Sequence, residues 1–248
     1  MKKFISTALI VYGLSVNLWA EVIRVFAASS TKLAMSEVVK NFKAQNKNDD
    51  ILITFNATGK AYAQFSNGFD YDVFMAADER YPARIVKDGN AISDPEIYAL
   101  GSVALYSTHP ELIKMGMDAL KSDKVKHISI ANPKLAPYGV AATEIIKNYG
   151  LEDVASAKLV LGDNIAQSVQ FVDSGAAEIG LVAFSLIKST QDNGRYMVID
   201  SKKYTLLKQA FVLTKYAKNK PLASKFGAFL LSDTAQDSFE KYGFGKIK

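Results

Sequence analysis

The sequence predicts an α/β protein of two lobes, each a mostly parallel sheet flanked by helices, with the chain crossing twice between them. Three observations predict it. Short β-branched runs alternate with segments of helical period along most of the chain. Several of those runs end in small and hydroxyl residues just where a helix begins. The strand-helix units are also too many for one small sheet, and extended stretches near Gly101–Leu105 and Tyr204–Ala210 offer places to cross. The first lobe is then discontinuous, residues 21–101 with 208–248, and the second is residues 102–207.

The elements follow from Glu21 onward. Val22–Phe26 is a first strand, and Met35, Val38, Val39 and Phe42 form one buried face of the helix after it. Ile51–Phe55 is a second strand that runs through Asn56-Ala57-Thr58-Gly59-Lys60 into a short helix with Tyr62 and Phe65. Asp72–Asp78 is a third strand, stopped at Asp78, which can cap the next helix. Ile97–Ser107 reads as one extended segment interrupted at Gly101, and a helix is expected over Pro110–Lys121. Ile128–Ala131 precedes a helix with Ala142, Ile145, Ile146 and Tyr149 on one face. Lys158–Leu161 is a strand, Asp163-Asn164 caps a helix burying Ile165, Val169 and Val172, and Ile179–Ala183 and Tyr196–Ile199 are further strands. Gln209–Thr214 returns as an extended run before two closing helices near Pro221 and Thr234.

Residues 1–20 stand outside this pattern. Met1-Lys2-Lys3 is basic, Phe4 to Trp19 is mostly apolar without an acidic residue, and Ala20 is a small residue ahead of Glu21. This reads as a secretory signal peptide. Without it 228 of 248 residues remain, and losing Lys2 and Lys3 takes the formal charge from +5 to +3. Such a mild, interspersed balance argues against nucleic-acid binding. No later run approaches the length of a membrane-spanning helix. With no cysteine there is neither a disulfide nor a lipid-anchored cysteine, so the mature chain is expected to be soluble and periplasmic, stabilised by its core alone.

Chemistry is expected at the carboxyl ends of the strands, where sheets of this kind place ligands. Four loops there or at helix starts share a composition: Ala28-Ser29-Ser30-Thr31, Ala57-Thr58-Gly59, Ala136-Pro137-Tyr138-Gly139 and Gly162-Asp163-Asn164-Ile165. Small residues let the backbone approach closely, and helix starts present N–H groups with no intrahelical partner beside the positive end of a helix dipole. Each loop alone is an ordinary turn or cap. Together they describe a seat for an anion built from neutral donors.

The ordered set Val25–Ser30, Thr58-Gly59, Asp72–Asp78, Ile179–Val182 and Phe239–Phe244 resembles periplasmic molybdate-binding proteins of ABC uptake systems, over essentially the whole mature chain. The resemblance implies a type II periplasmic-binding-protein fold closing on a tetrahedral oxyanion, molybdate or tungstate, with no cofactor and no cation ligands. It implies a monomer that delivers the anion to an inner-membrane ABC permease. Carried over by position, Ser30 donates from the first loop with Ser29 beside it. Thr58 keeps a hydroxyl in the second loop, and Tyr138 and Ile165 offer backbone N–H groups. The fifth position, often a tyrosine, is Ala183, which has no hydroxyl to give, so Tyr138 or Ser29 is the expected substitute. Molybdate and tungstate are proton-free dianions near neutral pH, so a donor-only site suits them and penalises hydrogen phosphate.

Two other readings compete. A sulfate or thiosulfate binder needs the same donors. An exported hydrolase or transferase needs a nucleophile with a positioned base, and His109 and His127 sit in no such motif. Asp72 and Asp78 lie at opposite ends of one strand, roughly 20 Å apart at ~3.3 Å per residue, too far to act as an acid/base pair. Iron binding lacks a carboxylate or histidine cluster. The expected role is capture without catalysis.

Overall fold

The computed structural model describes residues 20–188 and 194–247, so residues 1–19 of the predicted signal peptide lie outside the described residues. In chain order the elements are β1 (Val22–Ala28), α1 (Lys32–Gln45), β2 (Asp50–Asn56), α2 (Thr58–Ser66), β3 (Val73–Met75), α3 (Arg80–Lys87) and β4 (Glu96–Gly101). There follow β5 (Val103–Tyr106), α4 (Pro110–Ile113), β6 (Ile128–Ala131), α5 (Pro137–Asn148), α6 (Glu152–Ser156) and β7 (Leu159–Gly162). The last are α7 (Ile165–Asp173), β8 (Ile179–Ala183), β9 (Tyr196–Val198), β10 (Leu207–Leu213), α8 (Pro221–Leu230) and α9 (Asp233–Lys241).

The strands form two five-stranded sheets, ordered β2-β1-β3-β10-β4 and β7-β6-β8-β5-β9. In each, four strands point one way, three of them as a parallel-paired set, and one strand, β10 or β5, runs antiparallel between its two neighbours. Each sheet is thus mostly parallel in direction, as the sequence predicts, with one antiparallel member: the strand on which the chain enters that sheet from the other, β5 or β10. The extended stretch read as Ile97–Ser107 divides at Ser102: β4 belongs to the first sheet and β5 to the second. The return passes from β9 to β10 through residues 199–206.

The first sheet is covered on both faces. Ile23, Val25 and Ala27 pack with α1, α8 and α9 residues, whereas Phe26 turns to the opposite face with Phe65, Tyr71 and Phe74. That alternation is the two-residue strand period, and burial on both faces explains why β1 reads as nearly continuous apolar sequence. The second sheet has its own core around Leu105, Ile130, Ile145, Val172 and Leu181.

Local departures from the sequence reading have local causes. The helix expected over Pro110–Lys121 stops after one turn and resumes as a 3-10 turn at Gly116, whose φ of 58° lies in the left-handed region. Asp78 does not cap α3; its carboxylate takes the Arg80 guanidinium at 2.7 Å. Tyr149 ends α5 at its cap, exposed beneath the Lys203 ammonium, rather than facing the core.

Asp72 ties the first sheet together. It is fully buried, and its Oδ2 accepts the Arg24 N–H at 2.7 Å and the Lys220 ammonium at 2.8 Å, joining β1, β3 and the approach to α8. Asp72→Ala is expected to lower the unfolding free energy by about 2–4 kcal/mol, since it strands a buried N–H and a half-buried cation. Urea unfolding of the two proteins measures it; a loss below 0.5 kcal/mol, about the scatter of a surface substitution, would contradict this role.

Candidate functional site

The parallel strands β1, β2 and β3 point their carboxyl ends at the other lobe, and β6 and β7 point theirs back. Between these ends lies a small cavity, ≈ 200 Å³ including its opening, lined by Ala28, Ser29, Ser30, Asn56, Ala57, Thr58, Ala77, Ala136, Pro137, Tyr138 and Ile165. No lining side chain is ionisable at neutral pH, Tyr138 apart from its weakly acidic hydroxyl. Five of the six positions singled out in the sequence, Ser29, Ser30, Thr58, Tyr138 and Ile165, meet here. Ala183 does not: it is the buried last residue of β8, opposite Val103.

Each contributor is presented by a helix start. Ser29 and Ser30 form the 3-10 turn that leads into α1, Thr58 is the first residue of α2, and Tyr138 stands in the first turn of α5 behind Pro137. Ile165 opens α7, and the Asn164 side chain caps that helix by accepting from Ala166 and Gln167, two residues beyond it. The cap thereby leaves the first N–H of the helix to face outward. Asp163, expected to share the capping, instead pairs with Lys60. Thr58 Oγ1 accepts the Ala77 N–H at 3.1 Å, so its own proton remains to be donated. Asn56 Oδ1 is taken by the Ala57 N–H.

The lobes touch around the cavity. Gly59 N–H donates to the Leu135 carbonyl at 2.8 Å, and Ser185 Oγ donates to the Ser30 carbonyl at 2.8 Å. At the rim the Lys60 ammonium meets the Asp163 carboxylate at 2.8 Å. Outside that rim a polar recess of ≈ 600 Å³ including its opening, lined in part by Lys32, Asn164 and Gln167, shares Ser29 with the cavity. Among the described residues no group of three or more His, Asp or Glu side chains is placed to hold a metal ion.

An uncharged donor pocket between two α/β lobes is the geometry of a binding protein, and the comparisons with known proteins agree. The profile of the family described as bacterial extracellular solute-binding protein matches residues 23–245. The chain belongs to this family. It is 33% identical over 228 residues to a molybdate-binding protein of Azotobacter vinelandii, covering 90% of this chain and 89% of that one. It is 33% identical over 242 residues to its counterpart in Rhodobacter capsulatus, covering 96% and 94%. Among solved structures, the Azotobacter vinelandii periplasmic molybdate-binding protein superimposes with a TM-score of 0.85 at 28% identity, covering 91% of this chain and all of that one.

For this member of the solute-binding family the sequence reading missed the polar residues packed behind the cavity wall. Gln209, Tyr98 and Ser185 are buried there and hydrogen bonded to residues of the site or to one another. Gln209 had a legible signal, a lone amide inside the apolar run Leu207–Leu213, and Ser185 lies only two positions past Ala183.

Burial holds the Tyr138 hydroxyl far above the ordinary tyrosine value of 10.0, and burial raises Tyr98 and Tyr204 in the same direction. All three stay protonated in the folded chain where an unfolded tyrosine ionises. The stability this carries is complete below pH 10.0 and is lost as pH rises from there toward the folded values. Urea unfolding from about pH 8 to 11 should show that decline, and Tyr138→Phe should make it shallower; an identical slope in the variant would contradict the assignment.

Proposed function

We propose that this chain captures molybdate or tungstate in the periplasm and delivers it to an ABC permease of the inner membrane, as a monomer and without catalysis. Residues 21–101 with 208–248 and residues 102–207 are its two lobes, and residues 1–20 are the signal that exports it. Ser29, Ser30, Thr58, Tyr138 and Ile165 hold the anion; Ala183 contributes none of the contacts.

One observation carries the reading: neutral donors from both lobes line a single small cavity with no ionisable carboxylate, amine or imidazole in its wall. Hydroxyl protons and helix-start N–H groups satisfy a proton-free dianion and provide no ready partner for an anion that must itself donate. Because the donors come from both lobes, the anion favours the state in which the lobes are together. The names carried by the 33% identical relatives point to the same ligand. Sulfate is proton-free too, so it is separated by size rather than by donor chemistry.

Isothermal calorimetry on the mature chain with molybdate, tungstate, sulfate and phosphate tests the proposal. Tight binding of the first two and weak or absent binding of the others is expected; preference for sulfate would replace the ligand, and no binding at all would sink the reading. Ser30→Ala is expected to weaken oxyanion binding by ~1.5–3 kcal/mol, the range for a hydrogen bond to a charged group.

Gly59→Ala probes closure separately. A Cβ there would stand 2.8 Å from the Leu135 carbonyl oxygen and 2.7 Å from the Tyr81 hydroxyl, so the lobes cannot meet as they do. Oxyanion affinity should fall at least as far as in Ser30→Ala, with little change in the unfolding free energy of the anion-free chain. A fully retained affinity would show that the Gly59–Leu135 contact is not needed for binding.

A further inference from the structure

The strand β8 ends at Ala183 without lining the cavity, but the residues just after it touch the first lobe at three places. The 3-10 turn Phe184–Leu186 carries Ser185, whose Oγ donates to the Ser30 carbonyl at 2.8 Å. Both serines are buried, which shields that bond from water. Lys188 reaches the far end of α9, its ammonium donating to the Glu240 carbonyl at 2.8 Å. That carbonyl belongs to the last turn of the helix, the negative end of its dipole, where a cation is favoured. Between these two contacts the Phe184 ring and the Lys188 stem cover Gly243.

The seat on the first lobe is shaped for this approach. Gly243 follows α9 with a φ of 90°, and its own N–H donates to the Glu240 carbonyl at 2.9 Å. A Cβ there would lie 2.9 Å from Phe184 Cδ1 and 3.0 Å from Lys188 Cδ, so a side chain would push the turn away. The end of α9 is fixed in turn, since Phe239 and Phe244 belong to the first sheet's core. On its own side the turn is held by the Phe184 N–H, which donates to the Ser102 carbonyl at 3.0 Å, and by the Tyr196 ring 5.2 Å from that of Phe184. Both acceptors on the first lobe are backbone carbonyls, groups an anion cannot use, so these contacts take nothing from the donors of the cavity.

We propose that residues 184–188 are a latch between the lobes, with Ser185 and Lys188 as positioning residues that set how long a bound anion stays. The proposal rests on the oxyanion reading above. Latch and anion both favour the state in which the lobes are together, and they do so through different atoms. An anion enters and leaves while the lobes are apart, so weakening the latch speeds release and does not slow entry. Because the latch does not touch the anion, release quickens by the same factor for every oxyanion the site holds.

Release is read by chasing tungstate from the loaded chain with excess molybdate and measuring the tungsten retained after rapid filtration. Ser185→Ala should release tungstate about three- to tenfold faster than the wild-type chain, the effect of one buried neutral hydrogen bond. Lys188→Met keeps the stem over Gly243 and removes the ammonium, and should quicken release about two- to threefold, as for an exposed charged contact. Lys188→Arg should restore the wild-type rate. The reverse chase, molybdate displaced by tungstate, should give the same factor for each variant, with entry no slower than in the wild-type chain. Wild-type release in both Ser185→Ala and Lys188→Met would show that the turn stays seated when the lobes part. A factor that differs between the two anions would show that Ser185 acts on the anion rather than on the lobes. Either result overturns the latch and leaves the oxyanion reading standing. Failure of the wild-type chain to bind either anion overturns both.

Discussion

The constraint on which the proposed site depends is that an uncharged wall must satisfy an anion entirely with N–H and O–H groups. Each such group is a modest attraction, and four helix starts must aim at one point before their sum outweighs the water the anion gives up. This is why the parallel strands of the two sheets present their carboxyl ends to each other, and why alanine, serine and glycine crowd the loops there. Larger side chains would hold the backbones apart. The lobes themselves meet through a backbone hydrogen bond at Gly59 and Leu135 and a hydroxyl-to-carbonyl bond at Ser185 and Ser30, contacts that need close approach more than they need particular side chains.

Charge is kept at the rim. Lys60 and Asp163 pair across the mouth in partly exposed positions, where screening leaves an ion pair worth little. Lys32 lines the outer recess, near the start of α1. In the proposed capture, selectivity then belongs to the uncharged interior, and the rim's charges act on approach.

Much of this was legible in the sequence because local chemistry and fold agree there. The first loop, the Thr58 loop, the Pro137-Tyr138 turn and the Ile165 helix start were each readable from small residues, hydroxyls and helix-start signals, and the structure brings them to one cavity. What sequence could not supply were relations between distant positions. The partners of Gln209 lie 71, 111 and 179 residues away, and no periodicity encodes that. Nor did the alternation of strands and helices reveal that β5 and β10 enter their sheets antiparallel, since a crossing strand has the same composition in either direction. Asp78 and Asp163 were read as caps because caps are local; both turned to cationic partners, Arg80 nearby and Lys60 far along the chain.

The place of β10 in the first sheet has a consequence for the order of folding. It lies between β3 and β4, and β4 has no other neighbour in that sheet. Yet β10 is reached only after every strand of the second sheet has been passed along the chain. The second sheet is drawn from one continuous stretch, whereas the first waits for a strand more than a hundred residues downstream of β3 and for the loop-closure entropy that bringing it back costs. Until that strand arrives, β3 and β4 keep open edges, and the hydrogen bonds that Gln209 makes to Ser30 and Tyr138 do not exist. A chain cut short before residue 207 would keep every strand of the second sheet while leaving the first without the strand that joins β3 to β4.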